Sequence, residues 1–198
     1  RRSQAFAVVV YCAVCYYYIV NRTCGGQRQS MPMHRKRFHC FGSSCQLSVH
    51  SPYDDPEDLI QLAVKEILRV EEKFSAFHPQ SVVSRINQFA GTGAFTELDA
   101  ESGSLFNFVA ALWTQSNHLF DPTTRLLQNC YDDSGRRSAT EDQIKTMLRL
   151  VGWNKLELTA EGAYLPEKGM IIDLNSCIRP YAIDAVRKRL DKAGVKHA

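Results

Sequence analysis

No acidic residue occurs among the first 37 positions of this 198-residue chain, whereas seven basic ones do: Arg1, Arg2, Arg22, Arg28, Arg35, Lys36 and Arg37. Residues 38–198 hold 17 basic against 21 acidic residues, so the net charge of +3 comes from the N-terminal segment. A body without a basic stripe lacks the electrostatic footprint of a nucleic-acid-binding surface, and nucleic acid is excluded as a partner. The chain contains neither G-x-x-x-x-G-K-[ST] nor G-x-G-x-x-G, which removes the two common phosphate cradles. H-E-x-x-H and G-x-S-x-G are absent as well. The six histidines are dispersed, with no pair at metal-ligand spacing. Seven cysteines cannot all pair within one chain, and Cys12-x-x-Cys15 has no second CxxC and no βαβ context. Mostly buried thiols are the plainer account of them. No internal repeat or low-complexity linker interrupts the sequence.

What remains is an ordinary globular composition, 44% apolar and 23% charged. A domain of this size buries about 70% of its unfolded surface without a disulfide scaffold. The segment 1–37 stands apart from the body at 38–198. Within it, Ala5–Val20 is uncharged and mostly apolar. It is a little short for a spanning helix of roughly 20 residues and a little long for a signal-peptide core. Tyr16, Tyr17 and Tyr18 suit a membrane interface. Membrane association through 5–20, a signal, or an artefact of gene boundaries all remain open. An anchored or periplasmic body in the cell envelope is the expected location, although the basic residues after the stretch would favour a cytoplasmic-facing one.

Along the body, alternation of Cys45, Leu47 and Val49 with Gln46, Ser48 and His50 predicts a half-buried strand. Gly42 before it suggests a bulge or a close backbone approach. Asp55 and Pro56 open a helix whose apolar stripe is Leu59, Ala63, Ile67, Val70, Phe74 and Phe77, with Pro79 ending it. A short helix over Ser81–Asn87 and a longer one over Leu105–His118 follow. Thr140 with Gln143 makes a capping box for a fourth helix closed by Gly152. Lys155–Leu158 and Ala163–Leu165 read as a hairpin around Ala160-Glu161-Gly162. Met170–Leu174 reads as a short central strand and Tyr181–Ala193 as a last helix closed by Gly194. This irregular mixture points to an α+β fold with a mixed or antiparallel sheet and packed helices.

Two places suggest chemistry. Leu119-Phe120-Asp121-Pro122-Thr123 sets a carboxylate and a hydroxyl on a proline-fixed turn beyond a helix end. Spacing alone favours Asp121 as a capping residue over a ligand contact. Asp173-Leu174-Asn175-Ser176 ends an apolar run in a carboxylate just before a helix, where free N–H groups attract anions. Capping by Asn175 or Ser176 explains that pattern equally well.

These segments together resemble the FAD:protein FMN transferases, the ApbE family, in that family's order. Phe41-Gly42-Ser43 stands where the family has Met-Gly-Thr. Phe74-Ser75-Ala76-Phe77, with Pro79, Ser81, Ser84, Arg85 and Asn87, resembles its M-S-x-Y-x-P-x-S-x-x-S-R-x-N block. Leu119–Thr123 resembles its A-F-D-P-T loop, and Leu150–Leu158 its L-x-G-Y-x-K-V-x-L block. Asp173-Leu174 through Tyr181–Asp184 resembles D-L-G-x-I-A-K-G-Y-A-V-D.

The resemblance implies an ApbE-like, T-fold-related domain, incomplete at its C-terminus. It implies transfer of FMN from FAD to a threonine of a target flavoprotein, with release of AMP and a requirement for Mg²⁺. It places FAD contacts at Phe41, Phe77, Leu119, Phe120, Asp121, Asp173 and Arg179, and a Mg²⁺ ligand at Ser176. The chain departs from the family at Arg179-Pro180, where Lys-Gly is usual, and at Asn175, Ser176, Cys177 and Ile178. The resemblance also implies that the other Mg²⁺ ligands lie in a further C-terminal portion of the family domain, so the chain alone is expected to be inactive in transfer. The alternative expectation is a non-catalytic flavin-binding or vestigial envelope protein.

Overall fold

A computed structural model describes residues 7–12, 15–20, 32–50 and 56–193. The described residues form two compact units. One runs to Glu72 and resumes at Cys177; the other is Lys73–Ser176.

The first unit contains a four-stranded antiparallel sheet in the order β2-β1-β4-β3. Its strands are β1 (Ala7–Cys12), β2 (Cys15–Val20), β3 (Met33–Cys40) and β4 (Ser43–His50). The apolar stretch weighed as a membrane or signal segment is thus a pair of strands over its described residues, with Cys12 opposite Cys15. Its runs of valine and tyrosine explain the difference, because β-branched and aromatic residues favour the pleated conformation over the helix. Among the described residues no helix is long and apolar enough to cross a membrane. The boundary placed at residue 37 falls inside β3.

β4 occupies an interior place, between β1 and β3. Cys45, Leu47 and Val49 are buried as the alternation predicts, but Ser48 is buried too. The β3–β4 turn has Phe41 at φ 50° and Gly42 at φ 70°. Two positive φ values in a two-residue loop match the right-handed twist of a hairpin. A Cβ on Gly42 would meet nothing within 4 Å, so its dihedral angle, not a close approach or a bulge, accounts for this glycine. Phe41 holds a conformation uncommon for a bulky side chain. Its N–H donates to Glu71 Oε1, and its carbonyl accepts from Arg179 Nη2 at 3.1 Å.

Helix α1 (Glu57–Phe74) buries Ile60, Ala63, Ile67, Val70 and Phe74 at steps of three and four. Burial of each of the four larger side chains is worth about 1.5–3 kcal/mol. Asp55, expected as its cap, lies outside the described residues. Phe77, expected at the end of the stripe, falls beyond the helix and is 61% exposed. Glu66 is buried on this helix, held by Arg69 at 2.8 and 3.2 Å and by Arg189 at 3.2 Å. Burial would raise its pKa, but the two guanidinium groups outweigh that and hold it below the ordinary value.

In the second unit, Ser81 caps α2 (Val82–Gln88) by accepting from Ser84 N at 2.9 Å. Asp99 caps α3 (Ala100–Gln115), which buries Leu105, Phe106 and Val109. The capping box of α4 (Glu141–Arg149) forms as expected. Leu150 is its C-cap, so Gly152 lies one residue beyond the expected closing position. β5 (Glu157–Thr159) and β6 (Gly162–Tyr164) pair antiparallel across Ala160-Glu161. Lys155, expected to open that hairpin, closes a 3₁₀ turn over Trp153–Lys155.

Met170–Leu174 is not a strand. Met170, Ile172 and Leu174 are fully buried, yet no neighbouring strand pairs with them among the described residues. Asn87 replaces one: its Oδ1 accepts from Ile172 N at 2.8 Å and its Nδ2 donates to Ile172 O at 2.9 Å. A buried backbone must find partners, and here one side-chain amide supplies both.

Helix α5 (Asn175–Lys192) starts six residues earlier than expected and contains Pro180 in its interior. Proline there removes the bond its N–H would make to Ser176 O. Ala182, Val186 and Leu190 are buried on one face, as predicted. Gly194 lies outside the described residues.

Candidate functional site

An open cleft of about 420 Å³ lies in the second unit, lined by Leu119–Pro122, Thr124, Arg125, Gln128, Asp173, Asn175 and Ser176. Its two walls are the two segments that sequence spacing singled out, 52 positions apart between Asp121 and Asp173. A backbone hydrogen bond from Asp173 N to Pro122 O, at 2.9 Å, fastens one wall to the other.

The first wall begins where α3 ends. Ser116 is the C-cap, and Asn117 and His118 follow with φ of 54° and 66°. This left-handed pair reverses the chain, and the His118 ring stacks on Trp113 at 3.7 Å. Phe120 N then donates to Ser116 Oγ at 3.0 Å. The turn leaves Leu119 91% exposed at the cleft.

Asp121 follows as the cap of a 3₁₀ segment, Pro122–Cys130. Its carboxylate does more than cap. Oδ1 accepts from Thr123 N at 2.8 Å and from Thr123 Oγ1 at 2.5 Å. Oδ2 accepts from Trp113 Nε1 at 3.2 Å and from Trp153 N at 3.0 Å. The Thr123 hydroxyl also receives Gly152 N at 2.7 Å. One carboxylate thus ties together the end of α3, the motif loop and the Gly152-Trp153 turn.

Asp173 stands on the second wall. Its Oδ1 accepts from Asn175 N at 2.8 Å, so Asp173 itself, not Asn175 or Ser176, satisfies the opening of α5. Its Oδ2 accepts from Arg125 Nη1 at 2.5 Å and from Asn175 Nδ2 at 3.4 Å. The Arg125 guanidinium also lies 4.7 Å from the centroid of the Phe77 ring. Asn175 Oδ1 is buried without a hydrogen-bond partner.

The ApbE family profile matches residues 41–198. The chain belongs to the ApbE family. Several solved structures share its fold. An ApbE protein from Thermotoga maritima is 23% identical over 81% of this chain and 53% of its own, with a TM-score of 0.70. The flavin transferase ApbE from Vibrio cholerae is 16% identical over 82% and 55%, with a TM-score of 0.68. The flavinyl transferase ApbE of Pseudomonas stutzeri is 21% identical over 81% and 52%, also at 0.68. The chain spans about half the length of these relatives. No curated protein matches it in sequence.

The ApbE motif residues divide between the units. Leu119, Phe120, Asp121, Asp173 and Ser176 line the cleft, and Phe77, of the same unit, lies against Arg125. Phe41 and Arg179 belong to the first unit, joined to each other by the hydrogen bond to the Phe41 carbonyl. Sequence reasoning passed over Arg125 and Trp113, and gave Trp153 only a place in the Leu150–Leu158 block. Arg125 lies only two positions past the motif threonine, which was the one signal available for it.

The cleft leaves no free carboxylate for a Mg²⁺ ion, which is usually held through one or two of them, and Asn175 Oδ1 is its one unpartnered buried side-chain oxygen among the described residues. Both oxygens of Asp121 are occupied by N–H and O–H donors, and Asp173 Oδ2 is occupied by a guanidinium. Ser176 offers a single exposed hydroxyl. Among the described residues no group of three or more His, Cys, Asp or Glu could hold a metal.

Proposed function

We propose that the Leu119–Ser176 cleft holds part of FAD, and that the chain serves transfer of the FMN moiety to a threonine of a target flavoprotein. The observation that carries this reading is the convergence of the two ApbE motif segments on one cleft. In the reaction, the threonine hydroxyl oxygen bonds to the flavin-side phosphorus. The phosphoanhydride bond breaks, AMP leaves with the bridging oxygen, and the hydroxyl proton passes to a base.

This chain's own residues supply binding and order. Exposed Leu119 and half-buried Phe120 offer apolar surface to a planar ring system. Asp173, paired with Arg125, orders the second wall of the cleft. Asp121 keeps the loop in shape. A Mg²⁺ requirement finds too few donors among the described cleft residues, and no step is assigned to the ion.

A second reading is flavin binding without transfer. It is favoured by the engagement of both cleft carboxylates in internal contacts. One experiment separates the two. The chain is mixed with FAD and Mg²⁺, with and without a threonine-containing acceptor protein. Bound flavin is measured after ultrafiltration, and covalent flavin by fluorescence after denaturing electrophoresis. Retained FAD with no covalent product selects binding alone. Covalent product selects transfer, and the absence of both retained and covalent flavin removes the flavin reading.

A further inference from the structure

Among the described residues Arg125 is the only cation lining the cleft, and it is paired with the Asp173 carboxylate. Two contacts fix it. Nη1 meets Asp173 Oδ2 at 2.5 Å, and the guanidinium carbon lies 4.7 Å from the Phe77 ring centroid. Its other N–H groups, on Nε and Nη2, have no acceptor among the described residues. The side chain is only 32% exposed, so water screens it incompletely. A planar guanidinium held on two sides, with donors to spare, is pre-organised for a phosphate oxygen. Without it, the charge of Asp173 would face an entering phosphate with no cation among the described lining residues to balance it.

We propose that Arg125 is the residue that makes this cleft select phosphate-bearing ligands. It cancels the charge of Asp173 and donates its remaining N–H groups to a phosphate oxygen. The proposal rests on the flavin-site reading for the identity of the ligand, but its chemistry concerns only the phosphate. Discrimination is therefore expected between FAD or ADP, which carry a diphosphate, and riboflavin, which carries none.

The test is calorimetric or fluorescence titration of the full chain with FAD, ADP and riboflavin. The unaltered chain is compared with Arg125→Gln and Arg125→Lys, each first shown to be folded by circular dichroism. Arg125→Gln should weaken FAD and ADP at least about tenfold and leave riboflavin within about twofold. Arg125→Lys, which keeps the charge but loses the fork, should fall between. Added salt should weaken FAD for the unaltered chain more than for Arg125→Gln. An equal loss for all three ligands, or no loss for any, overturns the proposal while leaving the flavin reading intact. Arg125-dependent binding of ADP with no binding of FAD or riboflavin upholds the proposal and overturns the flavin reading. Failure of the unaltered chain to bind any of the three overturns both.

Discussion

Replacing Asp121 with alanine would remove four hydrogen bonds at once. Three of the four donors belong to buried residues. Thr123 is 0% exposed and Trp153 is 4% exposed. A buried donor left without a partner costs about 1–3 kcal/mol, and loss of a helix cap about 0.5–2 kcal/mol. The Thr123 hydroxyl can turn to another acceptor and the Trp113 indole is half-buried, so the main loss is the two backbone N–H groups. The expected destabilisation is about 3–5 kcal/mol, well above the effect of a cap alone. For a chain of this length that lowers the melting temperature by roughly 8–15 °C. The chain has only two tryptophans, Trp113 and Trp153, and both donate to the same carboxylate oxygen. Urea unfolding followed by tryptophan emission therefore reports on this junction directly. A loss below about 1 kcal/mol, with native emission unchanged, would refute the role assigned to Asp121.

Asn87→Ala should destabilise the second unit by about 2–5 kcal/mol, because both backbone groups of Ile172 lose their partner; chemical denaturation checks it. Lys73, through the largest contribution, with the Ser102 side chain and backbone N–H, holds the Asp99 carboxyl well below the usual carboxylate range. A depressed carboxyl stabilises the fold above its unfolded pKa, so stability should fall as pH drops below about 4, and Asp99→Asn should flatten that dependence in pH-scanned melts. Gly162 has φ 133°, and a Cβ there would meet Thr96 O at 2.1 Å. Gly162→Ala should thus lose at least about 2 kcal/mol, measurable by the same denaturation. Pro180→Ala restores an interior helical N–H and should stabilise α5 by about 1–3 kcal/mol, seen as a raised melting temperature.

Local signals were the legible ones. The capping box at Thr140 and Gln143 is written in four consecutive residues and forms as written. The alternation through Cys45, Leu47 and Val49 and the α5 face at Ala182, Val186 and Leu190 are likewise periodic and short-range. The apolar run Met170–Leu174 misled because burial and strand pairing leave the same apolar trace. Its partner is the side chain of Asn87, 85 positions away. Phe77 continued the spacing of α1 after the helix had already ended at Phe74. At the cleft, the motif segments were visible, but the work of their carboxylates was not. Asp121 holds two tryptophan residues and a threonine, and Asp173 holds Arg125 and the start of α5. Each of those partners is set by the tertiary fold, which spacing does not encode.

The most direct test of the central claim is to map where FAD meets the chain, by backbone amide NMR during an FAD titration. The account predicts saturable shifts concentrated at Leu119–Arg125 and at Asp173–Ser176, the two walls of the cleft. Shifts confined to other parts of the chain, or none at saturating FAD, would contradict it.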